Sequence, residues 1–125
     1  MSQASNEYVF KALVELQKHR GRQNAVSMAE LYERVYGETP RDKISSTRPL
    51  RRVITELRKM GFPVCSAMIG RETGYFLAET AEEIERFCET MERRVMKILY
   101  LLSRVKKLSL PEYLGQLKLK EVKNG

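Results

Sequence analysis

The sequence has little of what catalytic and metal chemistry is built from: one histidine, two cysteines and no tryptophan in 125 residues. Cys65 and Cys88 stand far apart without a CxxC pair, so neither a zinc site nor a disulfide framework can be assembled, and no metal or other cofactor is expected. His19 lies between Lys18 and Arg20 at the expected end of a helix. A cation complementing the helix dipole explains it better than membership of a Ser-His-Asp or Cys-His triad. Phosphate loops of the GxGxxG or GxxxxGK[ST] kind are missing and the acids are dispersed, so neither enzyme activity, catalytic residues nor a small-molecule ligand is expected. Uncharged runs fall far short of the roughly 18 apolar residues a bilayer span needs. Residues 1–6 lack a basic region followed by an apolar one, so the expectation is a cytoplasmic chain without a membrane partner.

Seven glycines and four prolines are too few for a disordered chain, and 42% hydrophobic residues support a folded core that 31% charged residues keep modest. The length suits one compact module with an appendage. The net charge is +7, and it is unevenly placed. Residues 1–40 and 61–78 are neutral, 41–60 carry +5, 79–92 carry −5 and 93–125 carry +7. A concentrated cationic patch gains affinity for polyanions through counterion release, which makes nucleic acid the leading partner. An anionic membrane surface accounts for the total equally well, so placement has to decide.

Val9, Leu13 and Leu16 at helical spacing, widened by Phe10 and Ala12, predict a helix over residues 6–19 with Asn6 as its cap. Gly21-Arg22-Gln23-Asn24 breaks it, and Val26 supplies a short strand. Ser27-Met28-Ala29-Glu30 is a capping box opening a second helix, with Leu31 and Val35 inward beside Met28 and Tyr32, that stops at Gly37. A polar connection over residues 38–46 follows. Thr47-Arg48-Pro49 then opens a third helix, with a capping hydroxyl and a proline in the first turn, that Gly61 closes. Leu50, Val53, Ile54, Leu57 and Met60 share one arc of it, and Arg48, Arg51, Arg52, Thr55, Arg58 and Lys59 the other, with only Glu56 opposing at the edge. A solvated surface mixes signs; a one-signed arc fits phosphate contact. Residues 62–69 and 75–78 read as strands around a loop at 70–74, a β-hairpin carrying Arg71 near its tip.

The run Leu50-Arg51-Arg52-Val53-Ile54-Thr55-Glu56-Leu57-Arg58-Lys59-Met60-Gly61-Phe62-Pro63-Val64-Cys65-Ser66, with Gly74-Tyr75-Phe76-Leu77-Ala78-Glu79-Thr80, resembles the recognition helix and wing of winged helix-turn-helix DNA-binding proteins. It is similar to biotin-repressor-type N-terminal domains and to small phage or prophage DNA-binding proteins, the latter also at Gly21-Arg22-Gln23-Asn24-Ala25-Val26-Ser27. The resemblance covers about residues 8–80. It implies double-stranded DNA as partner, with the third helix in the major groove and the hairpin on the flanking backbone. The residues it points to are Ser46, Thr47, Arg48, Arg51, Arg52, Thr55 and Lys59, with Arg71 on the wing. The connection between helices two and three is about ten residues, against the three or four of a plain helix-turn-helix. Arg41 and Lys43 within it either add backbone contacts or accompany a changed docking angle.

Thr80-Ala81-Glu82-Glu83 is a second capping box, opening a helix that runs without Gly or Pro to about residue 107. Ile84, Cys88, Met91, Val95, Ile98, Leu102 and Val105 alternate at spacings of four and three, a coiled-coil seam widened by Phe87, Leu99 and Leu101. The seam either packs in part on the first helix or, as a projecting helix more often does, forms a homodimer; within it Cys88 and Met91 are expected as buried hydrophobes. An antiparallel pair sets acidic starts beside basic ends and resembles the dimer helix of the replication terminator protein. Ser109-Leu110-Pro111-Glu112 caps a short last helix through Leu114 and Leu117, ahead of a basic tail. The expected fold is therefore mainly α with a small β-hairpin: a winged-helix DNA-binding domain at 1–78, a long dimerisation helix at 79–108, and a short helix with tail at 109–125. The function expected is that of a small transcriptional regulator or phage replication or control factor. The alternative is a protein-interaction module that recruits a partner through its long helix.

Overall fold

A computed structural model describes residues 5–42 and 46–124. The described chain is mostly helical, with a small three-stranded antiparallel sheet and one long helix. It comprises α1 (Asn6–Leu16), a 3₁₀ turn (Arg22–Asn24), β1 (Val26–Ser27), α2 (Met28–Tyr36), α3 (Arg48–Lys59), β2 (Val64–Ile69), β3 (Glu72–Leu77), α4 (Ala81–Val105) and α5 (Leu110–Asn124). It divides into two compact units, Met1–Phe87 and Cys88–Gly125.

In the first unit α1, α2 and α3 enclose one core of Val9, Ala12, Leu16, Leu31, Val35, Leu50, Val53, Ile54 and Leu57, onto which β3 lays Tyr75 and Leu77. The helices begin and end where local chemistry dictates, with some shifts. Ser5, not Asn6, is the N-cap of α1, and the helix stops at Leu16, three residues short of His19. There His19 Nδ1 is 2.9 Å from the carbonyl of Asn24, and Nε2 is 3.4 Å from the Glu15 carboxylate. The histidine thus ties the end of α1 to the following turn. Phe10, expected to widen the buried stripe, points outward. Ser27 caps α2 by accepting from the Glu30 amide at 3.1 Å, and Gly37 ends it in the left-handed conformation, φ 77°. Gly61 ends α3 the same way, with the Phe62 amide reaching back to the Leu57 carbonyl in a Schellman closure. Met60, placed on the apolar arc by spacing alone, is exposed at 62% because the chain leaves the helix there.

The sheet order is β1-β3-β2, all antiparallel. Val26 pairs with Tyr75, and β2 runs along the other edge of β3 from Val64↔Leu77 to Ile69↔Glu72. The connection is therefore two residues, Gly70 and Arg71, not the five-residue loop expected at 70–74. Gly70 has φ 62° while Arg71 stays at negative φ, the pattern of a tight turn with glycine first. Gly74 lies inside β3 because a Cβ there would sit 2.8 Å from the Val26 carbonyl oxygen. The far face of the sheet carries Cys65, Phe76 and Ala78, and Phe87 from the first turns of α4 packs on it. Those turns belong to this unit, beyond residue 78, for that reason.

Glu83 fixes the start of α4. Its amide donates to Thr80 Oγ1 at 3.2 Å, while its carboxylate accepts from the Glu79 amide at 2.8 Å and from the Arg22 amide at 2.7 Å. These amides hold its carboxyl below the usual carboxylate range. In the second unit α4 ends in a Schellman closure, Leu108 amide to Ser103 carbonyl at 2.9 Å, with Lys107 in the left-handed region at φ 59°. Ser109 and Glu112 form a reciprocal capping box, 3.2 and 3.4 Å, that opens α5. That helix runs on to Asn124, well past the short helix and tail expected, because nothing after Pro111 breaks it. Gly115 lowers helix propensity within it without ending it. No helix among the described residues is long and apolar enough to cross a membrane.

Candidate nucleic-acid interface

The cationic face of α3 is built by one periodicity. Leu50, Val53, Ile54 and Leu57 anchor one side in the core, which turns positions 48, 52, 55 and 59 outward at intervals of four, three and four. Arg48, Arg52, Thr55 and Lys59 are all exposed on this stripe, about 16 Å long at 1.5 Å per residue. Lys59 approaches Glu56 at 3.7 Å, a surface pair that leaves the cation accessible to solvent. The Thr55 hydroxyl donates to the Arg51 carbonyl at 3.0 Å. Its oxygen remains on the surface as an acceptor.

The basic arc read from spacing is two groups, not one. Arg51 and Arg58, seven residues apart, lie on the edge of α3 nearest the sheet and are half-buried. Arg58 Nε donates to the Val64 carbonyl at 2.8 Å, and its guanidinium sits 4.9 Å from the centre of the Phe87 ring. Burial lowers its affinity for the proton. Between them the two arginines face Tyr75, whose phenol is pushed up by burial and partly pulled back by the Arg58 and Arg51 charges. Arg58 is therefore a strut joining α3, β2 and α4. The signal for it was in the sequence: a helical wheel drawn at 100° separates 51 and 58 from 48, 52, 55 and 59.

Of the remaining expected contacts, Thr47 is buried, 1% exposed at the start of α3, and the capping bond expected of its hydroxyl is not made. Ser46 is half-buried and closes the connecting loop, its Oγ accepting from the Asp42 amide at 3.0 Å and its amide donating to the Asp42 carbonyl. Arg41 is exposed in the same loop; Lys43 lies outside the described residues. Arg71 is exposed at the hairpin tip. Beside it stand Met68 and Ile69, exposed apolar residues at the end of β2. The register puts Met68 and Thr73 on the same sheet face as Val64 and Leu77, which join the core with α3.

The α4 residues read as a dimer seam fall on one stripe, and they are open. Ile84, Met91 and Leu102 are exposed, as are Val95 at 52%, Ile98 at 57% and Val105 at 79%. Cys88 is an exposed free thiol. Cys88 and Met91, expected as buried within the seam, are thus exposed in the single chain. Among the described residues no group of three or more His, Cys, Asp and Glu side chains is gathered to hold a metal. Tyr8, Tyr36 and Tyr32 stack at 4.5 and 4.6 Å where α1 meets α2, and burial pushes Tyr36 up to about 12.

Set beside known proteins, the chain matches no family model, and no curated protein or solved structure matches it.

Proposed function

We propose that the first unit is a winged helix that binds double-stranded DNA, α3 being the recognition helix and the β2–β3 hairpin the wing. The observation that carries this is the exposed stripe of Arg48, Arg52, Thr55 and Lys59 on a helix whose opposite face is wholly in the core. A rigid rod presenting Arg48, Arg52 and Lys59 along one stripe, with the neutral Thr55 hydroxyl between them, suits a row of phosphates and the base edges beside it. The element order, the three-stranded sheet and the short tip bearing Arg71 support the same reading. A cationic helix face of this kind suits a small transcriptional regulator or a phage replication or control factor.

Replacing Arg48 and Arg52 together with Ala tests it. The expected result is loss of duplex affinity by tenfold or more, at unchanged helicity and unfolding midpoint, since each cation is worth roughly 1 kcal/mol or more on DNA and little to the fold. Unchanged affinity in that variant removes α3 from the interface. A second reading, recruitment of a different protein through α4, is favoured by the open stripe on that helix. It predicts a chain that stays monomeric alone and binds no duplex at low salt.

A further inference from the structure

We propose that the apolar stripe of α4 is covered by the same stripe of a second copy of this chain, running antiparallel, with Cys88 beside Val105 of the partner subunit. The pairing stands independently of DNA binding. Three observations carry it.

The first is exposure joined to period. Cys88, Met91, Val95, Ile98, Leu102 and Val105 are exposed in the single chain and alternate at three and four. A stripe with that repeat follows another supercoiled helix along its length, where a flat surface or a lipid boundary imposes no such repeat. The second is self-complementarity. A two-fold pair needs each position to meet a suitable one of the same sequence. Folding this stripe back on itself gives three layers, Cys88 with Val105, Met91 with Leu102 and Val95 with Ile98, each apolar and of ordinary core volume.

The third is charge. From Ala81 to Arg93, α4 carries five glutamates against two arginines; from Arg94 to Lys107 the chain carries five cations and no acid. Antiparallel copies place each acidic half beside a basic half, whereas parallel copies place like beside like, which costs affinity. In the antiparallel layers above, Glu85 lies on the same edge as Lys106 of the partner subunit. The complementary arrangement is therefore weakened by added salt, and a parallel one is strengthened by it.

Sedimentation of the full chain under reducing conditions, with disulfide trapping, tests the proposal. The expected species is a dimer whose affinity falls between 50 mM and 500 mM sodium chloride. Antiparallel pairing leaves the two Cys88 thiols about 25 Å apart, 17 residues at 1.5 Å each, so mild oxidation should not crosslink the natural chain. Val105→Cys should crosslink the dimer through Cys88 nearly completely, and adding Cys88→Ser should abolish that crosslink; Cys65 is buried and stays silent. A monomer at tens of micromolar overturns the proposal and gives the stripe to a different protein. Crosslinking of the natural chain through Cys88 overturns it in favour of parallel pairing. A dimer in which Val105→Cys stays reduced places the interface elsewhere.

Discussion

Arg52 and Arg58 sit six positions apart on α3 and are held by different forces. Arg58 gives its Nε proton to the Val64 carbonyl and stacks on Phe87, so removing it strands a carbonyl and opens the join between α3, β2 and α4. Arg58→Ala is expected to lower unfolding stability by about 1–3 kcal/mol, as deletion of a partly buried charged donor does. Arg52→Ala is expected to stay within about 0.5 kcal/mol of the parent, as an exposed surface change does. Denaturant unfolding of the two variants measures the difference; equal losses would show that the basic arc is not divided in this way. Glu83 is a second residue whose chemistry is mostly structural. Its carboxyl titrates below its ordinary value of 4.5 because the Glu79 and Arg22 amides stabilise the anion. A depressed carboxylate contributes stability above its unfolded-state value and loses it as pH falls through its folded-state value. Glu83→Ala should therefore cost about 1–2 kcal/mol near pH 7, the scale of a lost helix cap. The gap to the parent should narrow below about pH 4.5 and close once the carboxyl is protonated; a gap that is constant with pH would contradict the assignment.

At the scale of elements, Lys107 adopts φ 59° to close α4, a conformation that carries a steric penalty for any residue with a Cβ. Lys107→Gly is expected to raise the stability of the second unit by about 1 kcal/mol, read as a higher thermal midpoint, and a fall would show that the closure does not persist in solution. Elements with strong periodicity and a chemical stop were legible in the sequence: α2 between Ser27 and Gly37, α3 before Gly61, and α4 from Thr80. Elements defined by tertiary pairing were not. The end of α1 is set at Leu16 because residues 19–21 turn to pair with Leu77, a partner 56 to 58 positions away that no local pattern announces. The hairpin turn is shorter than its glycines suggest because Gly74 serves close packing inside a strand and not the turn. The long α5 was hidden by its lysines, which read as a tail but are good helix formers on an exposed face. Of the candidate site, the stripe on α3 followed from spacing, whereas the burial of Thr47 and the inward turn of Arg58 depend on what packs beside them.

For the whole molecule, charge and hydrophobicity are partitioned between two surfaces. One is the cationic stripe of α3 with Arg71 and Arg41 in the same unit; the other is the apolar stripe of α4. A two-fold pair made through α4 presents two copies of the first surface, and a symmetric binder on duplex DNA reads an inverted repeat. Selection from a random duplex pool should then return two half-sites in inverted orientation, and a single half-site would mean that one copy binds alone. Docking of α3 on phosphate and groove is tested most directly by fluorescence anisotropy of a labelled mixed-sequence duplex titrated with the protein at several salt concentrations. The expected result is binding whose log affinity falls linearly with log salt. Its slope should become shallower by roughly 2 in the Arg48→Ala, Arg52→Ala variant, about one unit for each phosphate that no longer meets a cation. Absence of binding at low salt, or a slope unaffected by those substitutions, would contradict it.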